Sequence, residues 1–460
     1  MMTLTRREKV MLAIIIMLLL ALSSTLFFTF SLIERYEKKA SYESEQKQVI
    51  ERKVTVWTYW EEKEALDALR EITREYASKT GINVTVTCVP LDEYKYKLFR
   101  DLQHGEGPDV FIAPHEWLSE LVAAGVIAPI DYSEIAEEYP ASIISAVTWE
   151  SEIYAIPVKI EVPALIVNTK LVETPPEALE DIVKNKASLE SGAHVLVYPV
   201  DNAFLSSGWF YAVDAYYFDF KTGDTRINCT EGREVLHLLV ELATTMPDNI
   251  TMSGMIELFT KGGAGMVIGT PSILPLLRNR MESLNDLVVT PLPKCLGKRA
   301  KPLMTLDVIY VSRLAEKRKL KSLAISLAKH IATEGSLTLL KKAHLVVTWG
   351  KAYSDTHTAT SKILKGFYEQ SMHATPMPPT DKMSRIILVV TKYLKLAIRG
   401  QLSCDEALDE CASEIKRLKL EYKEEEVRGL PLQHLCRIAA QVLRISLRIS
   451  HQSSHSLTRR

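Results

Sequence analysis

The chain has no C-x-x-C pair. Its six cysteines (Cys88, Cys229, Cys295, Cys404, Cys411 and Cys436) are scattered, so the ligand spacing of a structural zinc site is absent. It also lacks a G-x-x-x-x-G-K-[ST] loop, so it offers no cradle for the phosphates of ATP. There is no excess of either charge: 56 basic residues stand against 57 acidic ones, and that balance calls for no nucleic acid partner. No Ser-His-Asp or metal-ligand cluster stands out, which argues against an enzyme and implies no cofactor. An even cysteine count permits disulfides outside the cytoplasm, but spacing does not reveal their pairing. Cys404 and Cys411 are predicted on one helix, where seven residues put them about 10 Å apart, too far to bridge.

One long apolar run is present. Arg6, Arg7 and Lys9 precede an uncharged stretch at 10–33, which Glu34-Arg35 ends. It is long enough to cross about 30 Å of hydrocarbon, and the basic residues ahead of it predict a cytoplasmic amino terminus and an exported body. A cleaved signal is the alternative, with Ala21-Leu-Ser-Ser24 as small residues for a peptidase. Asn83-Val-Thr85, Asn228-Cys-Thr230 and Asn249-Ile-Thr251 are acceptor triplets compatible with export. The expectation is a single-pass cell-membrane protein: 1–9 cytoplasmic, 10–33 an N-terminal transmembrane helix, 34–52 a charged stalk, and the rest extracytoplasmic.

From residue 53 the pattern alternates between strand and helix. Lys53-Val-Thr-Val-Trp-Thr-Tyr-Trp60 reads as a strand, and residues 61–79 place Ala65, Leu66, Leu69, Ile72 and Tyr76 at helical spacing. Gly81 stops that helix, Ile82-Asn-Val-Thr-Val-Thr-Cys-Val89 is a second strand, and Val110-Phe-Ile-Ala113 is a third. Such alternation predicts βαβ units and a parallel sheet, whose ligands bind beyond the carboxyl ends of the strands. Residues 153–168 are apolar and β-branched, with Pro157 and Pro163 interrupting them, which reads either as a crossing between two lobes or as an edge strand. Residues 381–399 and 405–420 predict two closing helices, and 421–460 form a basic carboxyl-terminal extension.

In order along the chain come Lys79-Thr-Gly-Ile-Asn-Val84, Gly107-Pro-Asp-Val-Phe111, His115-Glu-Trp-Leu118 and Ala124-Gly-Val-Ile-Ala-Pro-Ile-Asp131. They are followed by Tyr154-Ala-Ile-Pro157, Leu292-Pro293, Ala374-Thr-Pro-Met-Pro378 and Gly400-Gln-Leu-Ser-Cys-Asp-Glu-Ala-Leu408. This series resembles the extracellular solute-binding proteins of ABC importers, in particular the maltose-binding-protein-like, sugar-binding family. The resemblance implies a two-lobed, periplasmic-binding-protein-like α/β fold (type II), each lobe a mostly parallel sheet flanked by helices. It places one lobe at 53–160 and 304–352, and the other at 161–303 and 353–420. It further implies a monomer that captures a carbohydrate in the cleft by hinge closure. The solute would then pass to ABC permease subunits in the membrane, driven by a separate ATPase.

A sugar presents hydroxyl donors and flat apolar faces, so its site needs carboxylates or amides and aromatic platforms. The ligand-binding candidates are Trp60, Glu61, Glu116, Trp117, Glu161, Asn202, Phe204 and Trp349. Glu161 corresponds by resemblance to the family's hinge glutamate. Two or three charge-assisted hydrogen bonds of about 1.5–3 kcal/mol each, with stacking, approach the roughly 8 kcal/mol of micromolar binding. Glu61 and Glu116 also suit another role, as acids facing a helix dipole. The chain departs from the family at two stacking tryptophans: it reads Thr270-Pro-Ser272 and Met383-Ser-Arg-Ile-Ile387 where rings are expected, which puts maltodextrin in doubt. Other readings are a polyamine or metal-complex binder of the same fold, a sensory binding domain, and a glycosidase, which would need two carboxylates about 5–9.5 Å apart.

Overall fold

A computed structural model describes residues 53–131, 137, 139–185, 189, 191–220, 222–354, 358–380 and 382–429, together with 23, 25 and 28–39. The expected membrane crossing at 10–33, the stalk beyond residue 39 and the extension beyond residue 429 therefore lie mostly or wholly outside the described residues. Residues 28–39 are helical, and this helix carries charge from Glu34 onward. Among the described residues no helix is long and apolar enough to cross a membrane.

Twelve strands are described. They are β1 (Lys53–Thr58), β2 (Asn83–Cys88), β3 (Val110–Pro114), β4 (Thr148–Trp149), β5 (Glu152–Ile153), β6 (Ala155–Glu161), β7 (Ala164–Asn168), β8 (His194–Val197), β9 (Ala264–Gly269), β10 (Leu287–Thr290), β11 (Leu303–Val311) and β12 (Thr375–Pro376). The chain forms two compact units, Met1–Phe111 with Val311–Ile331 and Ile112–Tyr310 with Ala332–Arg460. This division differs from the expected lobes: residues 112–160, 304–310 and 332–352, expected in the first, belong to the second unit.

In the first unit β1 runs parallel to β2 along its whole length and parallel to the start of β3. Period-two burial follows from the sequence, with Val54, Val56 and Thr58 buried. Helix Lys63–Thr80 buries Ala65, Ala68, Leu69, Ile72 and Tyr76, and ends at Gly81, whose φ of 71° needs a residue without Cβ. Asp109, 1 % exposed, is the unit's polar pin. Its carboxylate accepts the Thr55 N–H (2.9 Å) and hydroxyl (2.8 Å) and meets the Arg318 guanidinium at 2.8 Å, tying β1 to the returning chain.

In the second unit β6 is antiparallel to β11, Glu161 opposite Thr305 and Lys159 opposite Asp307. On its other edge the Ile160 N–H donates to Val346 O at 2.8 Å, and the Thr348 N–H donates to Val158 O at 3.2 Å. Three separate passages of the chain thus lie side by side. Pro157 sits inside β6, where the register shifts between Asp307 and Val308; a bulge lets a strand accept a residue with no N–H. The stretch is two strands, β6 and β7, broken at Val162-Pro163.

The second sheet has the order β10-β7-β9-β8. Here the expectation of a mostly parallel sheet fails, because only β8–β9 is parallel, while β7–β9 and β7–β10 are antiparallel. The reason is connectivity. β7 enters straight from β6 without a helical crossover, so nothing forces it parallel to its neighbours. Cys404 and Cys411 are buried on one helix, Cys404–Gly429, as unpaired thiols, and that helix runs past its expected end at 420.

Helix Ala359–Ser371 packs on β10 at Gly366, where a Cβ would collide with the carbonyl of Val289. Alanine favours a helix interior by about 1 kcal/mol over glycine, so a loss of stability isolates the clash. Gly366→Ala is expected to destabilise the protein by about 2 kcal/mol, read as a lowered urea midpoint; an unchanged or raised midpoint would show that the sheet yields.

Candidate functional site

Two expected residues lie in the first unit. Trp60 follows β1 and is 2 % exposed, so its ring presents almost no face to solvent, and its backbone N–H donates to the Thr58 hydroxyl at 3.1 Å. Glu61 is exposed, and its carboxylate accepts the Leu91 N–H at 3.3 Å, at the first residue of helix Leu91–His104. It thus acts as an acid at a helix amino terminus, though of the following helix and not of its own.

The remaining candidates belong to the second unit, where β11 is the frame. His115-Glu116-Trp117 make one 3-10 turn after β3. The fully buried His115 ring takes the Leu306 N–H on Nδ1 at 3.1 Å and meets the Met377 carbonyl through Nε2 at 2.8 Å. Burial opposes a charge on this ring, but Glu116 and the Met377 carbonyl outweigh it and hold the imidazole above its ordinary value. Glu116 Oε2 lies buried 3.0 Å from Nδ1, within reach of a proton on that nitrogen, and has no other partner among the described residues. Trp117 beside it is half-buried.

One residue further along β11, Thr305 pairs with Glu161. Glu161 is held from two sides: Lys159 Nζ reaches its Oε1 at 3.2 Å, and the Ser272 N–H donates to Oε2 at 3.4 Å. Lys159 also meets Asp307 at 3.4 Å. Burial opposes the charge on Lys159, but Asp307 and Glu161 outweigh it and hold the ammonium above its ordinary value. Ser272 stands where a stacking tryptophan was expected, and its backbone N–H meets the Glu161 carboxylate instead. β11 thereby carries Glu116, through His115, and Glu161, through the strand ladder, into one neighbourhood.

Asn202 is engaged as a helix cap: its Oδ1 accepts the N–H groups of Phe204 (3.0 Å) and Leu205 (3.1 Å) at the start of helix Ala203–Ala212. Phe204 is half-buried. Trp349 is half-buried ahead of the turn Gly350–Tyr353, with Lys351 Nζ 5.7 Å from the centre of its ring. Sequence reasoning missed Trp149 and Phe220, whose rings meet at 5.2 Å and 57° beside a cavity of ≈ 640 Å³. Trp149 ends β4 in a hairpin that turns through Glu150 and Ser151, both with positive φ; without Asn-Gly the turn had no signal. The only cue was a second Trp-Glu step, Trp149-Glu150, echoing Trp60-Glu61. Among the described residues no group of three or more His, Cys, Asp or Glu side chains could hold a metal ion.

Residues 71–358 match the pattern of the bacterial extracellular solute-binding proteins. The chain is 23 % identical over 351 residues to a maltotriose-binding protein of Pyrococcus abyssi, covering 73 % of this chain and 75 % of that one. It shares its fold with a cyclo/maltodextrin-binding protein solved with maltotetraose (TM-score 0.72, 23 % identity, 80 % of this chain and 97 % of that one). An extracellular solute-binding protein from Staphylococcus aureus solved with maltose is similar as well (TM-score 0.69, 22 % identity, the same coverage). These relatives are binding proteins, not enzymes.

Lys159→Met leaves two facing carboxylates with no counter-charge and is expected to cost about 2–3 kcal/mol at pH 7. The sign with pH is opposite for the two forms. A raised lysine pKa contributes stability that is fully present below the unfolded value, near 10.4, and is lost only as pH rises through the folded one. In the variant, repulsion raises one carboxyl pKa, so protonation relieves it and the deficit shrinks as pH falls toward 4. Urea titrations of both proteins at pH 7 and pH 4.5 check this; equal deficits at the two pH values would refute the coupling.

Proposed function

This chain belongs to the bacterial extracellular solute-binding proteins, and from that premise we propose that it captures an oligosaccharide, closes on it by a hinge, and delivers it to an ABC permease. The observation that carries the reading is the pair of carboxylates held on one strand frame, Glu116 through His115 and Glu161 through the ladder with Thr305. A sugar hydroxyl is a neutral donor that such carboxylates accept. Glu161, oriented by Lys159 and the Ser272 N–H, retains lone pairs for a second hydroxyl. The maltotriose, maltotetraose and maltose named for the relatives make maltodextrins the first ligands to try. A polyamine fits less well, because Lys159 already neutralises the acids it would need.

In this reading β6, β11 and the 346–348 passage are the hinge strands, joining lobes at 53–160 with 304–352 and at 161–303 with 353–420. The apolar run at 10–33 tethers the binding body to the outer face of the membrane.

A thermal-shift series on the protein with maltose, maltotriose, maltotetraose, spermidine and a metal chelate tests the assignment. A maltodextrin at a hundred times its dissociation constant should add about 2.7 kcal/mol of stability. Glu161→Gln should weaken that binding about tenfold, by loss of one charge-assisted bond. Stabilisation by spermidine or the chelate alone would overturn the carbohydrate reading.

A further inference from the structure

Three neighbours compete for the two nitrogens of the buried His115 ring. Nε2 lies 2.8 Å from Met377 O, and a carbonyl only accepts, so Nε2 carries a hydrogen. Nδ1 lies 3.0 Å from Glu116 Oε2 and 3.1 Å from the Leu306 nitrogen. An ionised carboxylate asks Nδ1 for a hydrogen, while the Leu306 N–H asks it for a lone pair. A ring nitrogen has one in-plane site and serves one of them at a time. With a proton on Nδ1 the ring is charged and held by Glu116; without it the ring is neutral and takes the Leu306 N–H. Glu116 Oε2 is itself closed to solvent, so a solute hydroxyl reaches that oxygen only when the carboxylate turns off the ring.

The surroundings leave this choice to Glu116. Tyr310 on β11 donates its hydroxyl to the Pro114 and His115 carbonyls, each at 3.4 Å, and burial, helped by the Glu116 charge, keeps that hydroxyl protonated well above its ordinary value. Asp307, next to Leu306, is paired with Lys159, which also holds Glu161 and stays charged. Val110–Pro114 and residues 374–380 bring no titratable side chain. Glu116 is the charged side chain that acts on the ring.

We propose that the free protein holds a proton on His115 Nδ1 and releases it when a solute hydroxyl takes Glu116, so that solute affinity is tied to pH. Turning the carboxylate outward removes the counter-ion of a buried cation, and burial then favours the neutral ring. The Nδ1–H bond breaks, the proton passes to water, and the freed lone pair accepts the Leu306 N–H. Glu116 exchanges an N–H donor for an O–H donor. His115 is thus a positioning residue. Affinity rises with pH while the free protein still holds the proton, and levels off above that range. This inference rests on the carbohydrate reading above and deepens it.

The test is isothermal titration of the full chain with maltotriose at pH 6.5 in phosphate and in imidazole, two buffers of different ionisation enthalpy, with affinities followed from pH 5.5 to 9. Wild type should release about half a proton or more per sugar at pH 6.5 and bind roughly fivefold tighter at pH 7.5 than at pH 5.5. Glu116→Gln removes the counter-ion, and His115→Asn keeps an acceptor for Leu306 but cannot be charged. Both should bind more weakly, with no buffer dependence and a flat pH profile, which a merely structural role for the ring would not predict. Nitrogen-15 spectra of the wild-type histidines read the step without any variant: His115 Nδ1 should pass from protonated to unprotonated as maltotriose is added. Tight binding with equal heats in the two buffers and no change with pH would overturn the linkage and leave the carbohydrate reading intact. Proton release that persists undiminished in both variants would also overturn it. No binding of maltotriose, maltose or maltotetraose by wild type would remove the reading on which the linkage rests, and the linkage with it.

Discussion

Everything in the candidate site hangs on the antiparallel pairing of β6 with β11. The ladder puts Lys159 opposite Asp307 and Glu161 opposite Thr305, and so creates a small cluster of one ammonium and two carboxylates, each side chain no more than 20 % exposed. Charges removed from water in this way are tolerated only when geometry pairs them well. The cluster is therefore weak as a source of net stability and strong as a constraint. It holds Glu161 oriented from two sides, by Lys159 and by the Ser272 N–H.

The same strand reaches the other acid indirectly. Leu306 gives its N–H to His115, the ring passes the constraint to Met377, and the same ring lies 3.0 Å from Glu116. Each acid is thus placed by partners, Glu161 by Lys159 and the Ser272 N–H, Glu116 by His115.

The family's pattern of rings is redistributed here. Ser272 and Met383 offer no aromatic, Trp60 and Trp209 are buried in the core, and the Trp209 indole donates to Pro293 O at 3.2 Å. Trp149, half-buried on a hairpin, and Phe220, exposed on a loop, bring their rings within 5.2 Å of each other.

Local rules were legible in the residues: the period-two burial of β1, the amphipathic helix that follows and its stop at Gly81, and a proline-interrupted passage to Asn168. Those depend on neighbours within a few positions, and side-chain periodicity records them directly. The ordered series of short stretches likewise pointed to the family without any tertiary information. What needed the fold were the relations between distant segments. Lys159 meets Asp307, His115 meets Leu306 and Met377, Asn202 is spent as a cap, and β7 joins its sheet antiparallel. No periodicity encodes a contact across 148 or 262 positions. Only chain closure decides which polar atoms are used up inside the protein and which remain for a guest.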